Sequence, residues 1–144
     1  MACNCYKKST AKAVNVTPQA LAVNGIVNYT QFDESGISII ESGNTGLKIV
    51  KPGLYLVSFS ASVASGAAAG TVTAQLMRNG TPEAGAVSSA YSASATVIES
   101  VSFTTVIEVL GSCNCINNTT TLTVANVGVD ATYNNAELTV VKLA

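Results

Sequence analysis

Four thiols stand in two identical triplets, Cys3-Asn4-Cys5 near the start and Cys113-Asn114-Cys115 far along the chain. A ring closed between cysteines two apart strains the disulfide, which needs a set dihedral and Cα separation. Pairing between triplets is therefore favoured, and four cysteines leave three fully paired connectivities open. If the N-terminal triplet reaches the loop of its own chain, the bonds staple a terminus to the fold, with a loop-entropy gain on the order of 3 to 5 kcal/mol. If it reaches the loop of a neighbouring copy, the bonds crosslink subunits, and a head-to-tail contact propagates into a filament. Four thiolates also match a tetrahedral zinc set, but structural zinc pairs are spaced by two or more residues and these by one. Staple and crosslink both require an oxidising destination, and no metal or other cofactor is expected.

The remaining side chains offer little chemistry. The chain has no histidine, which removes the commonest general base and neutral metal ligand. Its carboxylates are scattered: Asp33, Glu34, Glu41, Glu83, Glu99, Glu108, Asp130 and Glu137. Asp33-Glu34 before Gly36 reads as a solvated turn in preference to a calcium loop. Glu99 falls in phase with Val97, Val101 and Phe103, and Arg78 with Leu76, which raises a buried Arg-carboxylate pair as a specificity device. The serines lack an activating base and a Gly-x-Ser-x-Gly turn, and no phosphate-binding glycine loop occurs. An enzyme is not expected. Glycosylation sequons at Asn15, Asn28, Asn117 and Asn118 are chance matches in a chain this rich in Asn and Thr.

The elements that hold these groups are strands. The chain is 144 residues, 48% hydrophobic and only 10% charged, with net charge −1, a size for one core and a palette for short strands and polar turns. Tyr55, Val57, Phe59, Ala61 and Val63 alternate with Leu56, Ser58, Ser60 and Ser62, which predicts a strand over Leu54–Val63 with one face to a core. Thr71–Arg78 alternates likewise and ends at Asn79-Gly80, a tight-turn dipeptide. Val97–Val109, Thr120–Asn126 and Ala136–Leu143 complete the strong set. Weaker strands are expected at Val14–Val16, Gly25–Phe32, Ile37–Ile40 and Leu47–Val50, while Ala64–Gly70 and Gly85–Ala95 read as loops or flat small-residue strands. Eight to ten strands in about 130 residues predict an all-β, two-sheet antiparallel sandwich. Residues 1–12 read as an arm, and 13–144 as the domain.

The run Gly46-Leu47-Lys48-Ile49-Val50-Lys51-Pro52-Gly53-Leu54-Tyr55-Leu56-Val57-Ser58-Phe59 resembles the strand pair of the tumour necrosis factor and complement globular-head superfamily. Ala74-Gln75-Leu76-Met77-Arg78-Asn79-Gly80 and Thr139-Val140-Val141-Lys142-Leu143 are similar to later strands of that family. Lys51-Pro52-Gly53-Leu54-Tyr55-Leu56-Val57-Ser58-Phe59, Leu122-Thr123-Val124-Ala125-Asn126-Val127-Gly128 and Leu138-Thr139-Val140-Val141-Lys142-Leu143 resemble still more the C-terminal domain of spore-surface collagen-like glycoproteins and related bacteriophage fibre heads. The resemblance implies a jelly roll of about ten strands that assembles as a trimer, with Tyr55, Val57 and Phe59 at the seam between copies. The collagen repeat of the spore and complement relatives is absent here. Crosslinking through an N-terminal cysteine arm also resembles the plan of spore appendage subunits.

The expected function is a non-enzymatic structural subunit of an extracellular surface assembly: a virion head fibre or decoration protein, or a spore-surface filament. Its expected partners are copies of itself, as a homotrimer or filament, and a capsid or spore surface. The alternative is a receptor- or glycan-binding head, for which Tyr29, Tyr91 and Tyr133 are the aromatic candidates. Nucleic acid is not an expected partner, since Lys7, Lys8 and Lys12 form the one basic cluster. No apolar run is long enough for a membrane span. Met1–Lys12 lacks the apolar centre of a signal peptide, which points to release by lysis, by a dedicated machine, or on an assembled particle.

Overall fold

The computed structural model describes residues 8–66, 68–111 and 119–144. Among the described residues twelve strands follow one another: β1 (Thr10–Asn15), β2 (Gln19–Leu21), β3 (Gly25–Ile26), β4 (Gln31–Ser35), β5 (Ile39–Ser42), β6 (Gly46–Ile49), β7 (Gly53–Ser65), β8 (Gly70–Arg78), β9 (Thr81–Ser92), β10 (Glu99–Val109), β11 (Thr120–Asn126) and β12 (Ala131–Lys142). They form two antiparallel six-stranded sheets. The first runs β10-β7-β12-β1-β4, with β2 also on β12; the second runs β5-β6-β11-β8-β9, with β3 also on β11. This is the expected jelly-roll sandwich.

Alternation builds it. In β7 the side chains of Tyr55, Val57, Phe59, Ala61 and Val63 are buried, and in β10 those of Val101, Phe103, Ile107 and Val109. Leu76, Leu122, Leu47 and Ile49 close the core from the second sheet. Phe59 stacks on Phe103 with ring centroids 5.4 Å apart, a geometry that adds to plain area burial. The Tyr55 hydroxyl donates to the carbonyl of Lys51 at 2.7 Å, fastening the strand to the Lys51-Pro52 turn before it.

Turns set the register. Asn79 and Gly80 have φ of +52° and +80°, the left-handed pair that a two-residue hairpin needs, and they join β8 to β9. Asn79 also extends β11: its amide donates to Thr121 O at 2.9 Å, and its Oδ1 accepts from Thr121 N at 2.8 Å. Gly46 has no room for a side chain, because a Cβ there would stand 2.0 Å from the Leu122 carbonyl oxygen.

Several boundaries differ from the sequence expectation. Thr10, Ala11 and Lys12, expected in the arm, belong to β1, where Ala11 and Ala13 point inward and Thr10 and Lys12 outward. Two small residues carry too little hydrophobic signal to announce a strand. The Ala- and Ser-rich stretch after Gly85 continues β9 to Ser92, held by pairing to β8 from Gly70↔Ser92 to Gln75↔Val87. Gly25–Phe32 divides into β3 and β4, and β12 starts at Ala131, five residues before the expected Ala136, with a bulge between Asn134 and Glu137. Asp33 and Glu34 are strand residues of β4, opposite Lys12 and Ala11.

Candidate functional site

The first sheet turns one face to the core and the other to solvent, and register fixes what the outer face carries. Val106 of β10, Leu56 of β7, Val141 of β12 and Thr10 of β1 lie side by side in one row. The next row is Thr104, Ser58, Thr139 and Lys12, and the one beyond it Ser102, Ser60, Glu137 and Val14. Leu54 flanks the apolar row and is 38% exposed, and Val106 is 50% exposed. The face is therefore an apolar end, Leu54, Leu56, Val106 and Val141, running into a field of small hydroxyls. Lys12 and Glu137 neutralise each other at 3.8 Å across it.

Small side chains keep this face flat, and the hydroxyls bond locally, as Thr104 Oγ1 does to Ser58 Oγ at 3.5 Å. Where the strands β7 and β12 approach the other end, Pro18, Ser62, Val63, Ala64, Ala95, Ile98, Thr132 and Asn134 line a mainly apolar hollow of about 220 Å³. Ile98 at its rim is 68% exposed.

The residues singled out from sequence divide sharply. Tyr55, Val57 and Phe59, expected at a seam between copies, are buried between the sheets of their own chain and present no surface to another. The outward neighbours of the same strand, one residue out of phase, are the surface. Tyr29 and Tyr133 are likewise buried, which removes them as glycan platforms, whereas Tyr91 on β9 is 62% exposed. The Tyr133 hydroxyl contacts Asn126 Oδ1 at 3.2 Å, and among the described residues the Tyr29 hydroxyl has no hydrogen-bond partner. Burial pushes both phenols far above the ordinary tyrosine range.

Arg78 donates to the backbone carbonyl of Glu108 at 2.6 Å, bridging the two sheets, where a carboxylate partner was expected. Glu99 is half-buried. Asn15 is buried, and its amide donates to Asn28 O at 3.0 Å while its Oδ1 accepts from Thr17 N at 2.9 Å, so its sequon is sealed into the fold. Among the described residues no three acidic groups converge to hold a metal. Cys3, Cys5, Cys113 and Cys115 lie outside the described residues. Leu54, Leu56, Val106 and Val141 were missed from sequence. The signal was present in β7, whose start carries leucines on the face that later turns to serine.

No protein-family model matches the chain, and no curated protein matches it by sequence. Solved structures do. The Eiger tumour necrosis factor from S. frugiperda superposes with a TM-score of 0.68 at 14% identity, covering 94% of this chain and 92% of that one. The globular domain of zebrafish complement 1qA gives 0.65 at 12% identity, with 94% and 97% covered. This is a tumour necrosis factor-like jelly roll. The same fold occurs in the PRD1 vertex protein P5, which matches at a TM-score of 0.54 and 15% identity over 94% of this chain and 97% of that one. Among the described residues no helix is long and apolar enough to cross a membrane.

Proposed function

We propose that this jelly roll is a non-enzymatic structural subunit that assembles as a homotrimer on an extracellular or virion surface, through the outer face of the β10-β7-β12-β1 sheet. The observation that carries the reading is that face: a contiguous apolar row, Val106, Leu56 and Val141, with Leu54 beside it opposite Glu108, open to solvent and continuous with a flat hydroxyl field in which Lys12 and Glu137 pair with each other. Exposed apolar surface of this kind marks an interaction site, and a chain of net charge −1 meets little repulsion from its own copies. The likeness to a vertex protein is in keeping with a place on a particle.

The same reading gives the cysteine triplets a role. Lys8 and Ser9 lead toward the first triplet, and Ser9 O accepts from Lys142 N at 2.8 Å. Gly111 leads into the second, beside Pro52. Lys142 and Pro52 stand at the same end of the sandwich, because Lys142 pairs with Tyr55. The triplets themselves lie outside the described residues; on this reading, bonds between them would staple one chain or crosslink copies.

Sedimentation velocity of the purified protein, oxidised and reduced, tests the assembly. A trimer is expected in both states, and Leu56→Asp, which places three charges in the seam, should release folded monomers. A wild-type protein that stays monomeric at high concentration overturns the proposal. The glycan-binding alternative now rests on Tyr91 alone.

A further inference from the structure

We infer that Tyr91 of one copy seats in the hollow between β7, β12 and Ile98 of the next, locking the trimer at the end of the outer sheet face away from Leu54 and Val106. The inference rests on the trimer proposed above and adds the second half of its interface. Two unexplained surface features carry it. One is the hollow of about 220 Å³ at the far end of the outer sheet face, continuous with the proposed seam and lined by apolar atoms of Pro18, Val63, Ala64, Ala95 and Ile98. The other is Tyr91, a large side chain left 62% exposed on β9, a strand at the edge of the opposite sheet.

Their positions match along the molecule. Tyr91 pairs with Thr71, one residue from the end of the β8–β9 ladder at Gly70↔Ser92. Ser92 Oγ in turn accepts from the amide of Ser65, the last residue of β7. The hollow is floored by Ser62, Val63 and Ala64 of that same strand end. A three-fold rotation about an axis along the sandwich leaves height unchanged, so a knob and a hole at equal height on different sides of one chain stand level with each other on neighbouring copies. Knob and hole in this chain face different ways: β9 edges the second sheet, and the hollow opens on the first. That is the heterologous arrangement a closed ring requires.

Size and chemistry agree. An engineered apolar cavity of about 150 Å³ accepts benzene, so a hollow of about 220 Å³ holds a phenol ring. Thr132 and Asn134 in the lining supply polar groups for the hydroxyl that a phenylalanine would lack. The occupant is thus a tyrosine of a second copy in preference to a free ligand, since the side chain of matching size is already displayed by this chain.

Sedimentation equilibrium over a concentration series, with the wild type beside Tyr91→Ala, Tyr91→Phe and Ile98→Asp, tests the contact. Tyr91 is exposed in the single chain, so its substitution should leave the melting of the isolated monomer unchanged. Truncating a buried aromatic hot-spot anchor weakens binding about thirtyfold. Three such contacts per trimer, with the midpoint scaling as the square root of the trimer constant, raise the half-dissociation concentration about a hundredfold. Tyr91→Ala and Ile98→Asp should each show this rise, Tyr91→Phe a small one. Tyr91→Lys combined with Ile98→Asp should recover part of the loss, which a merely structural role would not do. A trimeric wild type whose midpoint is unmoved by Tyr91→Ala overturns this inference alone and leaves the outer-face seam standing. Loss of glycan-array binding in Tyr91→Ala with an unmoved trimer would give Tyr91 to a sugar and likewise overturn it. A monomeric wild type overturns both proposals.

Discussion

Asn126 offers the sharpest test of how the sandwich is held at the end where β11 turns into β12. It is wholly buried, and its amide nitrogen lies 2.9 Å from Val129 O, 3.2 Å from Leu21 O and 3.3 Å from Ala22 O. Its Oδ1 accepts from the Tyr133 hydroxyl at 3.2 Å. One side chain thus meets carbonyls at the end of β2, in the loop after it and in the β11–β12 connection together with a core phenol. Asn126→Ala removes two donated bonds and one accepted bond at about 1 kcal/mol net each, and leaves buried partners that water reaches poorly. A loss of about 3 to 4 kcal/mol is expected. With about 2.1 cal/mol/K of unfolding entropy per residue, the 144 residues convert this into a fall in Tm of about 10 to 13 °C. The assay is urea and thermal unfolding of monomeric Leu56→Asp protein with and without Asn126→Ala, so that assembly does not contribute. Tyr133→Phe completes a double-mutant cycle, and a coupling of about 0.5 to 1.5 kcal/mol is expected. A loss below 1 kcal/mol with the native fold retained would refute the reasoning, because the carbonyls would then be satisfied without the amide.

Two further outcomes follow from the buried tyrosines. Tyr29→Phe should be neutral or stabilising by up to about 1 kcal/mol, since the hydroxyl it removes is buried without a partner; a destabilisation above 1 kcal/mol in urea unfolding would count against this. Tyr29 and Tyr133 have folded-state values raised above the ordinary value of 10.0 by burial, so the unfolded chain loses their protons first. Their contribution is fully present below pH 10 and is lost as the pH rises beyond it, by about 1.4 kcal/mol per pH unit for each phenol. Absorbance at the phenolate band should therefore show both groups ionising only together with unfolding, and a gradual titration within the folded protein would contradict the burial.

The strong strands were legible because their alternation is long and large. Tyr55 to Val63 and Val101 to Val109 each place several bulky residues on one face, and the structure buries those residues. The Asn79-Gly80 turn was legible for a local reason, since few dipeptides take two positive φ angles. Weak elements were not. Ala11 and Ala13 enter β1 because β12 and β4 flank it on both sides, and β9 extends through Ala90 and Ser92 because β8 supplies the partner. Small residues have little preference of their own, so the ladder decides.

The functional face shows the same division more plainly. Sequence alternation determined that β7 has two faces and that Tyr55, Val57 and Phe59 share one of them. Which face meets solvent, and what lies beside it, depends on strands distant in the chain: Val106, Leu56 and Val141 become neighbours only when β10, β7 and β12 pair in this register. Composition likewise determined that histidine-based catalysis is absent and that charge is scarce. Only the tertiary structure brought Ser9 and Pro52 to one end of the sandwich, and set Tyr91 level with the hollow beside Ile98. Local sequence fixes dihedral preference and polarity pattern residue by residue, whereas proximity between distant residues arises from the closing of the sheets.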